Sequence, residues 1–137
     1  METALAPDEC LKSVRFPLWD EPRLGSAFHE VAMRHGDFAM VAAAVQVAMD
    51  EFGRCRRIAL GLGNVGPKPQ RLDRMAAALW DTTLDDAAID AAMVGLSDEI
   101  DPQSDTLATA AYRRRVAPRL LRRAIKDAVA DAQRTAA

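Results

Sequence analysis

Alternation with a period of two constrains this sequence more than any other feature. Every odd position from Val41 to Met49 is apolar, and beyond Asp50–Gly53 the even positions Ile58, Leu60 and Leu62 are apolar too. The Ala-rich composition of the stretch favours a helix, but a helix would not line up residues two apart. If residues 50–53 form a hairpin turn, Met49 faces Arg54, Val47 faces Arg56, Val45 faces Ile58, Ala43 faces Leu60 and Val41 faces Leu62. One register then gathers the large aliphatics on one face, because opposed side chains in a sheet share a face. The other face carries Phe38, Met40, Ala42, Ala44, Gln46, Cys55, Arg57, Ala59 and Gly61, and is small-residued in its middle.

Around this hairpin the texture changes from strand-like to helix-like. Cys10–Phe16 and Ser26–Arg34 read as two further strands, separated by a loop that contains Pro22 and Gly25. From Gln70 onward Ala, Leu, Arg and Asp dominate. Arg71–Trp80 reads as a short helix led in by Pro67 and Pro69. Thr83 caps a second from Leu84 to about Ile100, where Asp101–Pro102 stops it. A third runs from about Asp105 to Ala132, with Ala117, Leu120, Leu121, Ala124, Ile125, Ala128 and Ala132 at three-and-four spacing and a kink or restart expected at Pro118. Strands followed by helices define an α+β domain. With 137 residues there is room for one such domain, read here as residues 10–134 behind a lead-in at 1–9.

Composition removes several functional classes. A net charge of −2 argues against general nucleic-acid binding, which relies on basic surface to release counterions. No apolar run reaches the 18 or so residues of a membrane span, and the acidic first nine residues lack the basic-then-apolar order of a secretory signal, so a cytoplasmic location is expected. Two cysteines and two histidines make neither a disulfide framework nor a convincing zinc site; Cys10 and Cys55 read as free thiols and no metal is expected.

Charge and motif point to a few candidate positions. Residues 101–137 carry 8 Lys and Arg against 4 Asp, so this part should pair with the more acidic remainder. Arg113, Arg114, Arg115, Arg119, Arg122 and Arg123 read as a solvated helix face that makes those pairs, since consecutive helical residues point in different directions. Gly61–Pro67 has the glycines of a phosphate loop but no Lys-Ser/Thr pair, and Pro67 and Pro69 remove amide donors; a tight structural turn is the better reading. Strand alternation places His29 on one side and Glu30 on the other, after which Arg34-His35-Gly36-Asp37 forms a polar turn into the hairpin. His35 and Asp37, with His29 and Glu30 nearby, are candidates for proton transfer, and equally for turn residues that bond local backbone.

Three blocks carry a family resemblance: Arg34-His35-Gly36-Asp37-Phe38-Ala39-Met40-Val41, Arg57 through Pro69, and Tyr112-Arg113-Arg114-Arg115 followed by Leu121-Arg122-Arg123-Ala124. Their order and spacing resemble the C-terminal domain of the FAD-binding medium subunit of molybdenum hydroxylases, the family of carbon monoxide dehydrogenase and xanthine dehydrogenase flavoproteins. The resemblance spans roughly residues 5–132. It implies an antiparallel sheet of three to four strands packed on a three-helix bundle. It also implies a domain that closes over the isoalloxazine of an FAD held mainly by two preceding domains, the flavin passing electrons between iron–sulfur clusters and an acceptor. The family's Arg-x-x-Asp-Phe turn lies on the flavin side, which carries over to Arg34 and Asp37.

The glycine-rich segments that hold the dinucleotide in that family have no counterpart in this sequence, so the chain is expected to bind no FAD alone and to meet it only in complex with an FAD-binding chain. The expected role is an accessory, flavin-facing subunit or domain without catalysis of its own. It would be a separately encoded subunit, or else part of a longer protein. The alternative is a free-standing, cofactor-independent isomerase, cyclase or lyase for a small flat substrate, with His35, Asp37, His29 and Glu30 as acid–base groups. The small-residued sheet face needs cover, either from a different chain or from a second copy.

Overall fold

A computed structural model describes residues 4–135, the side chain of Thr135 excepted. Four antiparallel strands form one sheet in sequential order: β1 (Leu24–Val31), β2 (Val41–Met49), β3 (Cys55–Gly63) and the two-residue β4 (Gln70–Arg71). Four helices follow, α1 (Asp73–Leu79), α2 (Asp86–Met93), the single-turn α3 (Leu96–Glu99) and α4 (Ala110–Thr135). The chain is α+β, and α1, α2 and α4 supply the expected helical layer.

The hairpin forms between β2 and β3, but its register is two residues from the expected one. Val47 faces Ile58, Val45 faces Leu60 and Ala43 faces Leu62. A shift of two preserves the facing, so the large aliphatics still share one side. Part of the longer connection is taken up by a bulge at Ala48/Met49, where Met49 pairs with Cys55. Arg56 is the extra residue, and Cys55 consequently turns from the open face into the core, where it is fully buried. Burial raises its thiol pKa to about 11.

The expected strand at Cys10–Phe16 is absent; residues 10–20 run without regular structure, with Leu11, Val14, Phe16 and Leu18 exposed. Apolar alternation makes a strand only where a neighbour supplies the ladder, and none lies beside this segment. Its root is fixed: Trp19 lies 4.0 Å from the Arg57 guanidinium, and Arg57 also pairs with Glu21 at 3.3 Å. The first helix is shorter than expected, and the second breaks at Gly95, whose φ of 80° suits glycine. Asp85, not Thr83, caps α2, accepting from the Ala88 amide at 2.8 Å while Thr83 donates to Asp85. Thr109 caps α4, which continues through Pro118 without a restart.

The core sits between the aliphatic sheet face and the helices. Val41, Val45, Val47, Leu60 and Leu62 meet Met75 and Leu79 of α1 and Leu121, Ala124, Ile125 and Ala128 of α4. Gly25 explains how closely α4 approaches β1. A Cβ there would overlap Ala128 O and Ala132 N and fall 2.9 Å from Ala132 Cα, so only glycine lets the helix backbone rest on the strand. Among the described residues no helix is long and apolar enough to cross a membrane.

Candidate functional site

Parts of the three sequence blocks meet at one end of the sheet: the 34–41 turn, the loop after β3 and the start of α4. β1 leaves and β2 enters there through residues 32–40, β3 runs out into Asn64–Pro69, and α4 begins with Tyr112 and Arg113 alongside. In the 34–37 turn the Asp37 amide donates to Arg34 O at 3.1 Å, and Arg34 Nε donates to Asp37 Oδ2 at 3.2 Å. Gly36, with φ 86°, supplies the left-handed position. The Arg34 side chain is 84% exposed, and Phe38 beside it is 88% exposed. At the base of the turn Met40 N donates to Val31 O at 2.7 Å.

Behind the turn lies a polar string that the sequence reading missed. Asn64 sits in the left-handed region (φ 60°), and its Nδ2 donates to Ala39 O. Its own carbonyl accepts from Arg113 Nη1 at 3.4 Å. Arg113 Nη2 donates to Asp105 Oδ2 at 2.6 Å, and Asp105 also accepts from the Leu107 and Ala108 amides at 2.9 and 3.0 Å. Those two amides, then Arg113, hold the Asp105 carboxyl below its ordinary range. Arg113 departs from the expectation of a solvated face: it is 6% exposed, because it precedes Ala117 by four residues and shares the buried stripe of α4. Arg122 pairs with Asp86 and Asp90 and Lys126 pairs with Asp86, as expected of a basic helix against the acidic remainder, whereas Arg114 and Arg123 pair within residues 101–137, with Asp101 and Asp127.

Between the turn and the 105–112 segment opens a cleft of about 490 Å³, lined by Met33, Met40, Leu107, Ala108 and Tyr112 with Asp105, Thr106 and Thr109. The small-residued sheet face holds a second shallow depression of about 420 Å³ over Ala44, Gln46, Ala59 and Gly61, edged by Pro69, Gln70 and Arg71. Phe28 stands 62% exposed on the same face, opposite Ala44.

The proposed acid–base residues lie on different surfaces. His29 is on the helix-facing side of β1 and its Nε2 is 2.7 Å from Asp127 Oδ2 of α4. Glu30 is exposed on the opposite face, and His35 is exposed on the turn while Asp37 is engaged by Arg34. Among the described residues no three His, Cys, Asp or Glu side chains group to hold a metal ion.

The fold is that of the C-terminal domain of a molybdenum hydroxylase flavoprotein subunit. The family described as the CO dehydrogenase flavoprotein C-terminal domain matches residues 26–128. The carbon monoxide dehydrogenase medium chain of Afipia carboxidovorans is 36% identical over 132 residues, covering 96% of this chain and 45% of that protein. The 6-hydroxypseudooxynicotine dehydrogenase complex subunit alpha of Paenarthrobacter nicotinovorans is 30% identical, with 97% and 45% covered. Among solved structures, reconstituted CO dehydrogenase from Oligotropha carboxidovorans superposes with a TM-score of 0.73 at 34% identity, over 79% of this chain and 37% of that one. Quinoline 2-oxidoreductase from Pseudomonas putida 86 gives 0.72 at 28% identity, over 85% and 39%. The chain belongs to the CO dehydrogenase flavoprotein C-terminal domain family, and it spans less than half the length of the curated relatives it matches.

Proposed function

We propose that this domain is the flavin-facing part of a molybdenum-hydroxylase-type oxidoreductase, closing over an FAD whose phosphates are held by other polypeptide. The observation that carries the reading is the meeting of parts of the three family blocks at one sheet end, in a chain 36% identical to a carbon monoxide dehydrogenase medium chain. FAD would supply one- and two-electron transfer there. The residues at that end fit a ring and not a dinucleotide. Arg34 and Asp37 present a polar edge, Phe38 and Met33 present apolar surface, and the Gly61–Pro69 loop lacks the amide donors of a phosphate cradle because two of its positions are proline.

The chain's own contribution is therefore to orient and to exclude water. Arg34 is fixed by Asp37 with its guanidinium still exposed, so it can donate to a ring carbonyl or stabilise negative charge that develops on it. The small-residued face around Ala44 and Gly61 lets a second polypeptide surface approach the sheet backbone closely, and we assign the FAD-binding polypeptide to it. Purification of the native assembly tests the reading: FAD released on denaturation should be stoichiometric with this chain, and the yellow colour should be lost when the chain is isolated alone. A colourless native assembly would overturn it.

A further inference from the structure

The flavin-facing turn and the far wall of the Met33/Met40 cleft are tied to one buried side chain. Arg113 reaches Asp105 with Nη2, and Asp105 organises the 105–109 turn by accepting the Leu107 and Ala108 amides. With Nη1 it reaches Asn64 O, and Asn64 passes the constraint to Ala39 O, next to Met40. Both walls of the cleft therefore hang from one guanidinium, the first through Asn64 and the second through Asp105.

Stability alone does not account for this arrangement. Arg113 Nε is buried with no hydrogen-bond partner, and a guanidinium withdrawn from water with one N–H unpaired is a poorer stabiliser than packed aliphatics of the same volume, the more so as its partner Asp105 stays half exposed. The position lies in the apolar stripe of α4 and could hold such a side chain. A planar fork with donors aimed in two directions has a use that an aliphatic lacks, since it fixes two separate backbone segments relative to each other.

We propose that Arg113 and Asn64 are positioning residues, which set the spacing of the cleft walls and the pose of the Arg34–Asp37 turn presented to the flavin. The assignment rests on the flavin-facing reading of that turn, but its geometric content is testable on the chain alone. The methionines give the readout: Met33 and Met40 line the cleft, whereas Met49 and Met75 are buried in the core. With 13C-methyl-labelled methionine, NMR spectra of the wild type would be compared with Asn64→Gly and Arg113→Gln. Asn64→Gly keeps the left-handed backbone without strain and removes only the side-chain bond to Ala39.

The Met33 and Met40 methyl resonances should move or broaden in both variants while those of Met49 and Met75 stay within a line width. Arg113→Lys, which retains charge but loses the fork, should fall between wild type and Arg113→Gln. Unmoved cleft methyls in Asn64→Gly would overturn the proposal, and so would equal movement of the core methyls, which marks general loosening. Should Arg113→Gln fail to fold, Asn64→Gly decides alone. Because the experiment needs no flavin, its failure would leave the proposed function standing, and an assembly without FAD would leave this result standing.

Discussion

Gly25→Ala tests the packing that places α4, and with it Arg113, against the sheet. The added methyl would lie inside the van der Waals envelope of Ala128 O and Ala132 N, and 2.9 Å from Ala132 Cα. All three obstacles are backbone atoms, so no rotamer change relieves them. Either the C-terminal half of α4 lifts from β1, or β1 bends away from β2. Lifting the helix uncovers Ile125, Ala128 and Ala132, each at most 1% exposed. Overpacking against side chains costs about 1–3 kcal/mol, and a rigid backbone obstacle places this substitution at or above the upper end of that range. For a domain of this size about 3 kcal/mol lowers Tm by roughly 10 °C. Urea titration and thermal melting followed by circular dichroism would measure it. Gly61→Ala is the control, since a Cβ there meets nothing closer than 3.8 Å, and it should change stability by less than about 0.5 kcal/mol. A Gly25→Ala protein as stable as the control would refute the close-approach argument.

Other expectations follow from the same geometry. Ala44→Glu places a charge on the open sheet face and should weaken docking of the FAD-binding polypeptide by at least about tenfold, read by sedimentation velocity or titration; the solvent-facing position should leave Tm unchanged. Cys10 should react with a thiol reagent in the folded protein, while Cys55, fully buried and with its pKa raised to about 11, should react only at the rate of unfolding. Stability should fall in acid. Asp85 and Asp105 are held below the ordinary value of 3.8 chiefly by the Ala88 and Ala108 amides, Asp86 by Lys126, and Asp131 by the Ser26 amide. A depressed folded pKa stabilises above the unfolded value and is lost as pH falls through the folded one. Urea midpoints should therefore hold steady from neutrality to about pH 5 and decline below it. Midpoints that rise between pH 5 and 3 would contradict the sign.

The parts of the fold that depend on side-chain period were legible in the sequence. Alternation over Val41–Leu62 gave the hairpin and its buried face, and three-and-four spacing gave α4. What alternation cannot see is a shift of two, which leaves every facing intact; the bulge at Ala48/Met49 decides that register through tertiary packing of Cys55. The missing strand at Cys10–Phe16 has the same origin in reverse, as a pattern with no neighbour to pair with. At the candidate site, the Arg34–Asp37 turn was readable from its residue types. Arg113 was hidden by grouping it with Arg114 and Arg115. Its place four residues before Ala117 on the apolar stripe was the available signal, and Asn64 between Gly63 and Val65 was the available signal for a left-handed turn. Their connection through Ala39 O spans loops far apart in sequence and is set only by the fold.

In the proposed assembly the Arg34–Phe38 turn and the cleft beside it face the flavin ring. Photolabelling of the native assembly with an FAD analogue that carries an azide on its isoalloxazine tests this most directly, with the modified peptide located by mass spectrometry. Covalent label is expected within residues 33–41 or 105–112, abolished by excess FAD. Label found entirely outside this domain, with those two peptides unmodified, would contradict it.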